Sequence, residues 1–330
     1  MVEPVLHELR RRGVPHLLML AEPSASIARQ DGVPHTLLAG QTVADRAAQV
    51  LAARPTALLL GTSVQAVVER ELTRRARAAT PPIPTLAVLD AMLFVERRFG
   101  DGLVELADVV ACPDQVTADR LRQAGAPDGT LVVTGNPTLE AIAQEAVTAP
   151  PSVETDGPVD LLFVSSPVAS MRLRGAYFSI DEREALGDLL SAVAALPDAA
   201  PHGYRVRVRL HPVQAADVLP VPPPGIVLEP DPDPDRLRSC AGARVVVGLS
   251  STLLGEARFL PRPAIAYLPG PFWEQERVFA PEYGVQLARS REQLRASLAT
   301  ALAGPPPPAP LGHQGAAGRI ADLLATLVPV

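Results

Sequence analysis

The sequence predicts an α/β protein made of two doubly wound, parallel-sheet domains. Three observations predict it. Short apolar, β-branched runs alternate with amphipathic helical stretches along the whole chain, the pattern of parallel strands covered by helices on both faces. The alternation is interrupted once, between Thr148 and Pro158, where Pro150, Pro151, Asp156, Gly157 and Pro158 read as a linker, and then restarts. The length of 330 residues suits two domains of roughly 100–200 residues, each long enough to bury a substantial core.

In the first half the strand candidates are Leu17–Leu20, Thr36–Leu38, Ala57–Leu60, Thr85–Leu89, Val109–Cys112 and Leu131–Thr134. Between them lie helix candidates Glu3–Arg12, Thr42–Arg54, Val64–Ala79, Gln115–Ala124 and Thr138–Val147. In the second half the strands are Val159–Ser165, Arg205–Leu210, Ile226–Leu228, Arg244–Gly248 and Ala264–Leu268. The helices there are Asp181–Leu196, Asp235–Cys240, Thr252–Leu260 and Ser290–Ala303. Gly304–Pro310 is a proline-rich connection, and Gly318–Leu327 reads as a last helix. The expected domains are 1–148, a linker at 149–158, 159–310, and a C-terminal helical segment at 311–330. A ligand is expected at the carboxyl ends of the strands or between the halves.

Composition narrows the chemistry. All 30 basic residues counted as Lys plus Arg are arginine, so P-loop NTPases, protein kinases and Schiff-base enzymes, which need a lysine, are excluded. The plain reading of arginine for lysine, with 36 prolines, is a genome-wide GC bias. Proline and glycine together stay below the ~25–30% typical of disorder. The net charge of -6, with no basic block longer than Arg10–Arg12, argues against nucleic acid as a partner. Cys112 and Cys240 fit neither a disulfide framework nor a metal site, and read as buried thiols. No apolar run reaches the ~18 residues of a membrane span. Glu3, His7 and Glu8 break any secretory leader, so the expectation is a cytoplasmic protein.

Four constellations carry candidate chemistry. The first is Gly248-Leu249-Ser250-Ser251-Thr252, which follows an apolar strand and opens a helix. Its hydroxyls, the unpaired first-turn N–H groups and the helix dipole make a ready phosphate site. N-capping by one serine is the plainer reading. Glu256, one turn further, suits either a ribose hydroxyl or a capping or solvent-facing role. The second is Arg205-Val206-Arg207-Val208-Arg209-Leu210-His211-Pro212. Alternation puts three arginines on one strand face, where they need solvent or anions. His211, held at the strand end by Pro212, is placed to meet a phosphate or leaving group; a solvated face with a structural histidine is the plainer reading.

The third constellation is Leu86 to Asp90, with Asp90 ending a strongly apolar strand. It is a candidate general base for a hydroxyl or, equally, a helix N-cap. Gly61, Thr62 and Ser63 end the preceding strand and would give the same cleft, on the acceptor side, a small polar floor. The fourth is Thr134-Gly135-Asn136-Pro137, a tight strand-to-helix turn near the interdomain hinge; Asn136 is the only asparagine in the chain. Ser165 and Ser166, with Arg172 and Arg174, follow the first strand of the second half, where they suit a diphosphate; the loop Pro167–Ser179 also reads as a flexible lid.

With these residues in view, the chain resembles the GT-B superfamily, in which two Rossmann-like domains face a nucleotide-sugar cleft and a C-terminal helix often returns to the first domain. His211-Pro212 and Ser250-Ser251-Thr252 are similar to the His-Pro and Ser-Ser/Thr motifs of bacterial sialyltransferases. They also resemble the Arg-x-His-Pro and Ser-Ser pattern of CDP-glycerol glycerophosphotransferases. The resemblance implies that Arg209, His211, Pro212, Ser250, Ser251 and Thr252 hold the donor nucleotide and its phosphates. Non-hydrolysing UDP-N-acetylglucosamine 2-epimerases share the Gly-Asn turn, a strand-end histidine and a Ser…Glu helix start, matched here by Ser250 and Glu256.

The expected activity is therefore a metal-independent glycosyl or polyol-phosphate transferase, in polysaccharide, cell-wall or natural-product glycan assembly. It would take a nucleotide-activated donor as substrate, a hydroxyl acceptor (glycan, lipid-linked or small molecule), and no cofactor. A 2-epimerase-type isomerase and an inactive nucleotide-sugar- or protein-binding relative are the alternatives. The paired acidic-Gly motif of the sialyltransferases is missing, which leaves Asp90 as a positional stand-in. GT-B chains usually begin with a strand and a glycine-containing turn. Here the helix at Glu3 starts at once, so either the start site is placed late or the first domain lacks that strand.

Overall fold

The computed structural model describes residues 2–30, 32–62, 66–89, 95–148, 157–170, 173–175, 178–196, 202–211, 214, 219–270 and 281–328. The chain divides into two compact units, Met1–Ala141 with Gly312–Val330, and Ile142–Leu311. The division falls inside α6 (Pro137–Thr148). Most of the linker stretch, 149–156, lies outside the described residues.

The first unit begins with α1 (Glu3–Arg11), β1 (Met19–Leu20), α2 (Ser24–Gln30), β2 (Thr36–Leu37) and α3 (Val43–Ala52). It continues with β3 (Leu58–Leu60), α4 (Val67–Ala78), β4 (Thr85–Val88), β5 (Val109–Cys112), α5 (Gln115–Gln123) and β6 (Leu131–Val133). β3, β4, β5 and β6 form a parallel sheet in sequence order, with Leu59 opposite Leu86 and Ala87 opposite Val110. One sheet of six strands was expected. Instead β1 and β2 pair only with each other, as a separate parallel ribbon, because no ladder joins β1 to β3.

Side chains alternate across the four-stranded sheet as strand geometry requires. Leu86, Val88 and Ala111 meet Val5, Leu6 and Leu9 of α1 on one face. Ala87, Leu89, Val110 and Cys112 meet Ala118 and Leu121 of α5 on the other. On the same side as α5, α3 and α4 cover Leu58 and Leu60 with Ala47, Val68 and Leu72. Local signals set the helix starts: Thr42 and Asp45 make a capping box for α3, and Asp114 accepts from the Thr117 N–H at 2.7 Å to start α5. The seven-residue α2 was not expected. Glu22 organises it by accepting from the N–H and hydroxyl of Ser26 at the helix entry.

The last helix, α11 (Ala316–Leu327), belongs to this unit. Ile320 and Ala321 join Val5 and Leu9 in one cluster, and Arg12 of the α1 end bonds to Asp322 and the Gly318 carbonyl. The N-cap of α11, Gly315, offers no side chain. Glu140 of α6 does the capping instead, accepting from the N–H groups of Gly315 and Ala317. Gly135, at φ +84°, makes the turn between β6 and α6, and an added Cβ would lie 3.2 Å from Ala316, Arg319 and His313. Asn136 caps α6 through its side-chain oxygen, accepting from the N–H groups of Thr138 and Leu139, while its own N–H donates to His313 Nδ1 at 2.9 Å. The tight-turn reading of this segment therefore describes its geometry.

Burial holds the His313 imidazole below its ordinary pKa of about 6.5, with Asp114 and Glu140 pulling the other way and Arg319 with it. A lowered histidine pKa means that the unfolded chain binds the proton first. Stability is therefore full above about pH 6.5 and falls as pH drops below it, until the folded imidazole is itself protonated. Thermal midpoints measured from about pH 7.5 to about pH 5.5 should fall more steeply for the natural protein than for His313→Gln.

The second unit contains β7 (Val159–Val164), α7 (Glu182–Ala194), β8 (Tyr204–Arg209), β9 (Ile226–Pro230), α8 (Arg236–Gly242), β10 (Val245–Gly248), α9 (Thr252–Phe259), β11 (Ala264–Tyr267), β12 (Gln286–Ala288) and α10 (Arg291–Ala303). Its strands form one parallel sheet in the order β12-β11-β10-β7-β8-β9. The chain starts in the middle, runs outward through β8 and β9, then returns to the other side of β7 as β10. The direction of winding reverses between β7 and β10, which is the doubly wound topology expected from the alternation. The edge strand β12, three residues long, was not expected; so short a run carries no readable period.

Helix starts here obey the same rules. Asp181 and Glu184 form a capping box on α7, Asp235 caps α8 and Ser290 caps α10. The buried guanidinium of Arg258 holds the carbonyls of Gly284, Arg262 and Pro308 and fastens α9 to two later segments. Both cysteines are buried; burial pushes the Cys112 thiol up to about 12 and raises that of Cys240 as well, so neither is a ready nucleophile. Among the described residues, no helix is long and apolar enough to cross a membrane.

Candidate functional site

The reversal between β7 and β10 is where an open α/β sheet leaves a crevice beyond its carboxyl edge. The register sets Val164 opposite both Gly248 of β10 and Arg209 of β8, so three strand ends lie side by side. The residues that continue from these ends are Ser165 and Ser166 after β7, Leu249 and Ser250 after β10, and Leu210 and His211 after β8. Gly248 permits this closeness, since a Cβ there would lie 2.7 Å from the Val164 carbonyl oxygen.

The hydroxyls are placed by backbone bonds. The Ser165 N–H donates to the Arg209 carbonyl at 2.9 Å, and the Ser166 carbonyl accepts from the Val168 N–H at 2.8 Å. Both serines are buried, yet neither hydroxyl has a hydrogen-bond partner among the described residues, and the same holds for Ser250 and Thr252. Ser251 takes the N-cap of α9, its oxygen accepting from the Leu253 N–H at 3.3 Å. The plainer reading of the Ser-Ser-Thr run is thus realised by Ser251. Ser250 and Thr252 stand on either side of that helix start, their hydroxyls not used by the cap. The partial positive charge of the helix end faces the same edge.

The arginine face meets anions of this chain. Arg207 is buried, its Nε donating to both Asp160 oxygens at 2.8 and 3.0 Å and its Nη1 to Asp231 and to the Ser239 hydroxyl, each at 2.8 Å. Arg209, expected at a donor phosphate, donates to Asp231 at 2.6 Å and to the carbonyls of Asp233 and Pro234. Arg205 faces Glu229 at 3.6 Å near the surface. Burial raises the Asp160 carboxyl, and Arg207 offsets this only in part. Burial also acts to raise Asp231, but the hydroxyl of Ser239 and the two arginines prevail and hold it low. Glu256, expected near a ribose, pairs with Arg236 at 2.9 Å.

His211 is exposed, and desolvation keeps its imidazole below the ordinary value. Its backbone N–H donates to Gln214 Oε1 at 2.8 Å, and Gln214 Nε2 donates to Glu182 at the start of α7 at 3.0 Å. The other Glu182 oxygen accepts from the Ala169 N–H at 3.0 Å, so one carboxylate braces the segments after β7 and β8. Neither Glu182 nor Gln214 was singled out from sequence, because the bonds Glu182 makes to Ala169 and Gln214 span 13 and 32 residues. The loop expected as a lid is anchored by buried Val168 and Phe178 and by Arg174, which pairs with Glu184 at 2.8 Å. Pro212 and Arg172 lie outside the described residues.

At the carboxyl edge of the first unit, Thr62 is buried, not an open polar floor. Its hydroxyl donates to the Val88 carbonyl at 2.9 Å, and buried Arg98 donates to its carbonyl and hydroxyl, each at 3.3 Å. Gly61 is half-buried beside it; Ser63 and Asp90 lie outside the described residues. Glu69, in the first turn of α4, was not among the residues expected at a site. Burial raises its carboxyl pKa, against the opposing pull of its own backbone N–H and of Arg70. A glutamate between Val68 and Leu72 on a buried helix face is the signal that would have found it. Among the described residues, no cluster of three or more His, Cys, Asp or Glu is arranged to hold a metal ion.

No protein-family model matches the sequence, and a search of curated proteins finds no match. Solved structures do match. The UDP-GlcNAc 2-epimerase of Methanocaldococcus jannaschii superposes with a TM-score of 0.67 at 14% identity, over 98% of this chain and 96% of its own. The UDP-GlcNAc 2-epimerase of Neisseria meningitidis, bound to UDP-GlcNAc, gives 0.63 at 14% identity, over 98% and 96%. The glycotransferase of kitacinnamycin gives 0.57 at 16% identity, over 99% and 95%. At such identities the likeness is one of architecture, and it extends over nearly the full chain: this protein has the GT-B fold.

Proposed function

We propose that the chain is an enzyme that binds a nucleotide-activated sugar in its second unit and transfers the glycosyl, or a polyol-phosphate, group to a hydroxyl acceptor. The observation that carries this reading is the set of hydroxyls without a partner among the described residues, Ser165, Ser166, Ser250 and Thr252, at the β7/β10 reversal beside the start of α9. Hydroxyl donors and a helix end, fixed before the substrate arrives, stabilise the charge that grows on a departing nucleotide phosphate. In a chain without lysine they are the natural phosphate ligands, with His211 at the rim. Arg209 acts at one remove in this reading, holding the β8 end through Asp231.

The reaction also needs an acid–base group. Asp90, the base expected from sequence, lies outside the described residues, and Glu69 is a carboxyl whose pKa burial raises toward the range useful for proton transfer. Glu69→Gln should lower kcat by about a hundredfold or more while leaving the Kd for the nucleotide unchanged, as steady-state kinetics beside calorimetry would show. Equal loss of binding and turnover would make Glu69 a structural residue.

A 2-epimerase reading stands second, favoured by the superposition on UDP-GlcNAc 2-epimerases over nearly the whole chain. Incubation with UDP-GlcNAc and no acceptor separates the two. Conversion to the 2-epimer contradicts the transferase. Turnover that requires an added hydroxyl acceptor contradicts the epimerase.

A further inference from the structure

Glu182 and Gln214 form the middle of a hydrogen-bond chain whose two ends are both donors. At one end the Ala169 N–H, on the segment after β7, donates to one Glu182 oxygen at 3.0 Å. At the other the His211 N–H, on the segment after β8, donates to Gln214 Oε1 at 2.8 Å. Between them Gln214 Nε2 donates to the second Glu182 oxygen at 3.0 Å. The two segments leave the sheet as neighbours, since Val164 stands opposite Arg209 and the Ser165 N–H donates to the Arg209 carbonyl at 2.9 Å. Glu182 and Gln214 continue that connection beyond the strand ends. Glu182 is the first residue of α7, whose start the Asp181–Glu184 capping box fixes, and a helix start favours a carboxylate.

Two donor ends put a condition on the middle. An ionised carboxylate offers two acceptor oxygens, whereas an amide offers one acceptor and one donor. One carboxylate beside one amide satisfies every contact, in either order. Two amides leave a donor facing a donor whichever way they are flipped. Two carboxylates leave an oxygen facing an oxygen, with like charges in contact. Glu182 with Gln214 is one of the two combinations that work, and the exchanged pair, Glu182→Gln with Gln214→Glu, is the other. The chain sets the distance between groups already placed at the crevice edge. The Ser166 carbonyl accepts from the Val168 N–H, so the turn that carries Ser166 leads directly into Ala169, while the other end of the chain is the backbone of His211 itself.

We propose that Glu182 and Gln214 are positioning residues for the nucleotide phosphate, a clamp that holds His211 at a set distance from the Ser165–Ser166 turn; this rests on the nucleotide site proposed above for the second unit. The test is a reciprocal exchange. Glu182→Gln, Gln214→Glu and the double variant are titrated beside the natural protein with UDP, CDP, GDP and CMP, and hydrogen exchange is followed at the Ala169 and His211 amides. Each single variant should bind the nucleotide about tenfold more weakly, the loss of one hydrogen bond to a charged group. Exchange at one or both amides should quicken at least about fivefold in each. The double variant should return affinity and exchange to within about twofold of the natural protein, a coupling that independent structural residues do not show. Charge alone predicts another order: beside a phosphate, Glu182→Gln would tighten binding and only Gln214→Glu would weaken it. That order would overturn the proposal, as would single variants that bind like the natural protein, or a double variant no better than the weaker single. If the natural protein binds none of the four nucleotides, the site itself is refuted and the positioning role with it. Amide exchange distinguishes that failure, because it follows the pairing rule without any nucleotide when the clamp is intact.

Discussion

Arg207→Leu will destabilise the second unit by about 3 kcal/mol, because it leaves the largely buried Asp160 carboxylate without its hydrogen-bonded cation. The Arg207 side chain is 9% exposed and that of Asp231 1%. Its guanidinium joins β7 through Asp160, the segment after β9 through Asp231, and α8 through the hydroxyl and carbonyl of Ser239. Asp231 keeps Arg209 and Ser239 in the variant, so the orphan is Asp160, whose carboxyl burial already raises. Without Arg207 that pKa rises further. The loss is then largest where Asp160 is ionised, and it shrinks as pH falls and the carboxyl takes up a proton. Denaturant titrations at about pH 8 and about pH 5 measure both parts. A loss under about 1 kcal/mol at the higher pH would mean that the network behaves as a solvent-screened surface pair.

Gly248→Val should be nearly as damaging to stability, by about 3 kcal/mol, and more damaging to function. The added Cβ meets the Val164 carbonyl oxygen at 2.7 Å, a backbone atom that no rotamer change can move. The end of β10 must then separate from β7, where Ser165 and Ser250 lie. Thermal melting and a nucleotide titration on the same sample check this prediction. A variant with natural stability and natural affinity would show that the crevice tolerates a wider β7–β10 spacing than its hydrogen bonds suggest.

Much of this fold was legible as pattern. The apolar runs at Val159, Arg205, Ile226, Arg244 and Ala264 became β7 to β11 with shifts of a residue or two at most of their ends, because buried parallel strands and capped helices announce themselves locally. The ion network around Arg207 was not legible. Arg205, Arg207 and Arg209 do share a face, but the carboxylates that claim the last two come from Asp160 and Asp231, 22 to 47 residues away. The split of the first sheet was hidden for a different reason. Leu17–Leu20 and Ala57–Leu60 have the side chains of core strands, and backbone pairing leaves no trace in side-chain pattern. At the site, Ser250 and Ser251 read alike in sequence. Only geometry assigns the cap to Ser251 and spares its neighbour that role.

Everything proposed for the second unit depends on the β7/β10 crevice binding the phosphates of a nucleotide. Calorimetric titration of UDP, CDP, GDP and CMP into the natural protein and into Ser166→Ala/Ser250→Ala decides it. At least one nucleotide should bind one-to-one to the natural protein. The double variant should bind it about a hundredfold more weakly, as expected for the loss of two hydrogen bonds to a charged group, with its melting temperature preserved. Equal affinity in both proteins, or no binding of any nucleotide to the natural one, would refute the assignment of this crevice.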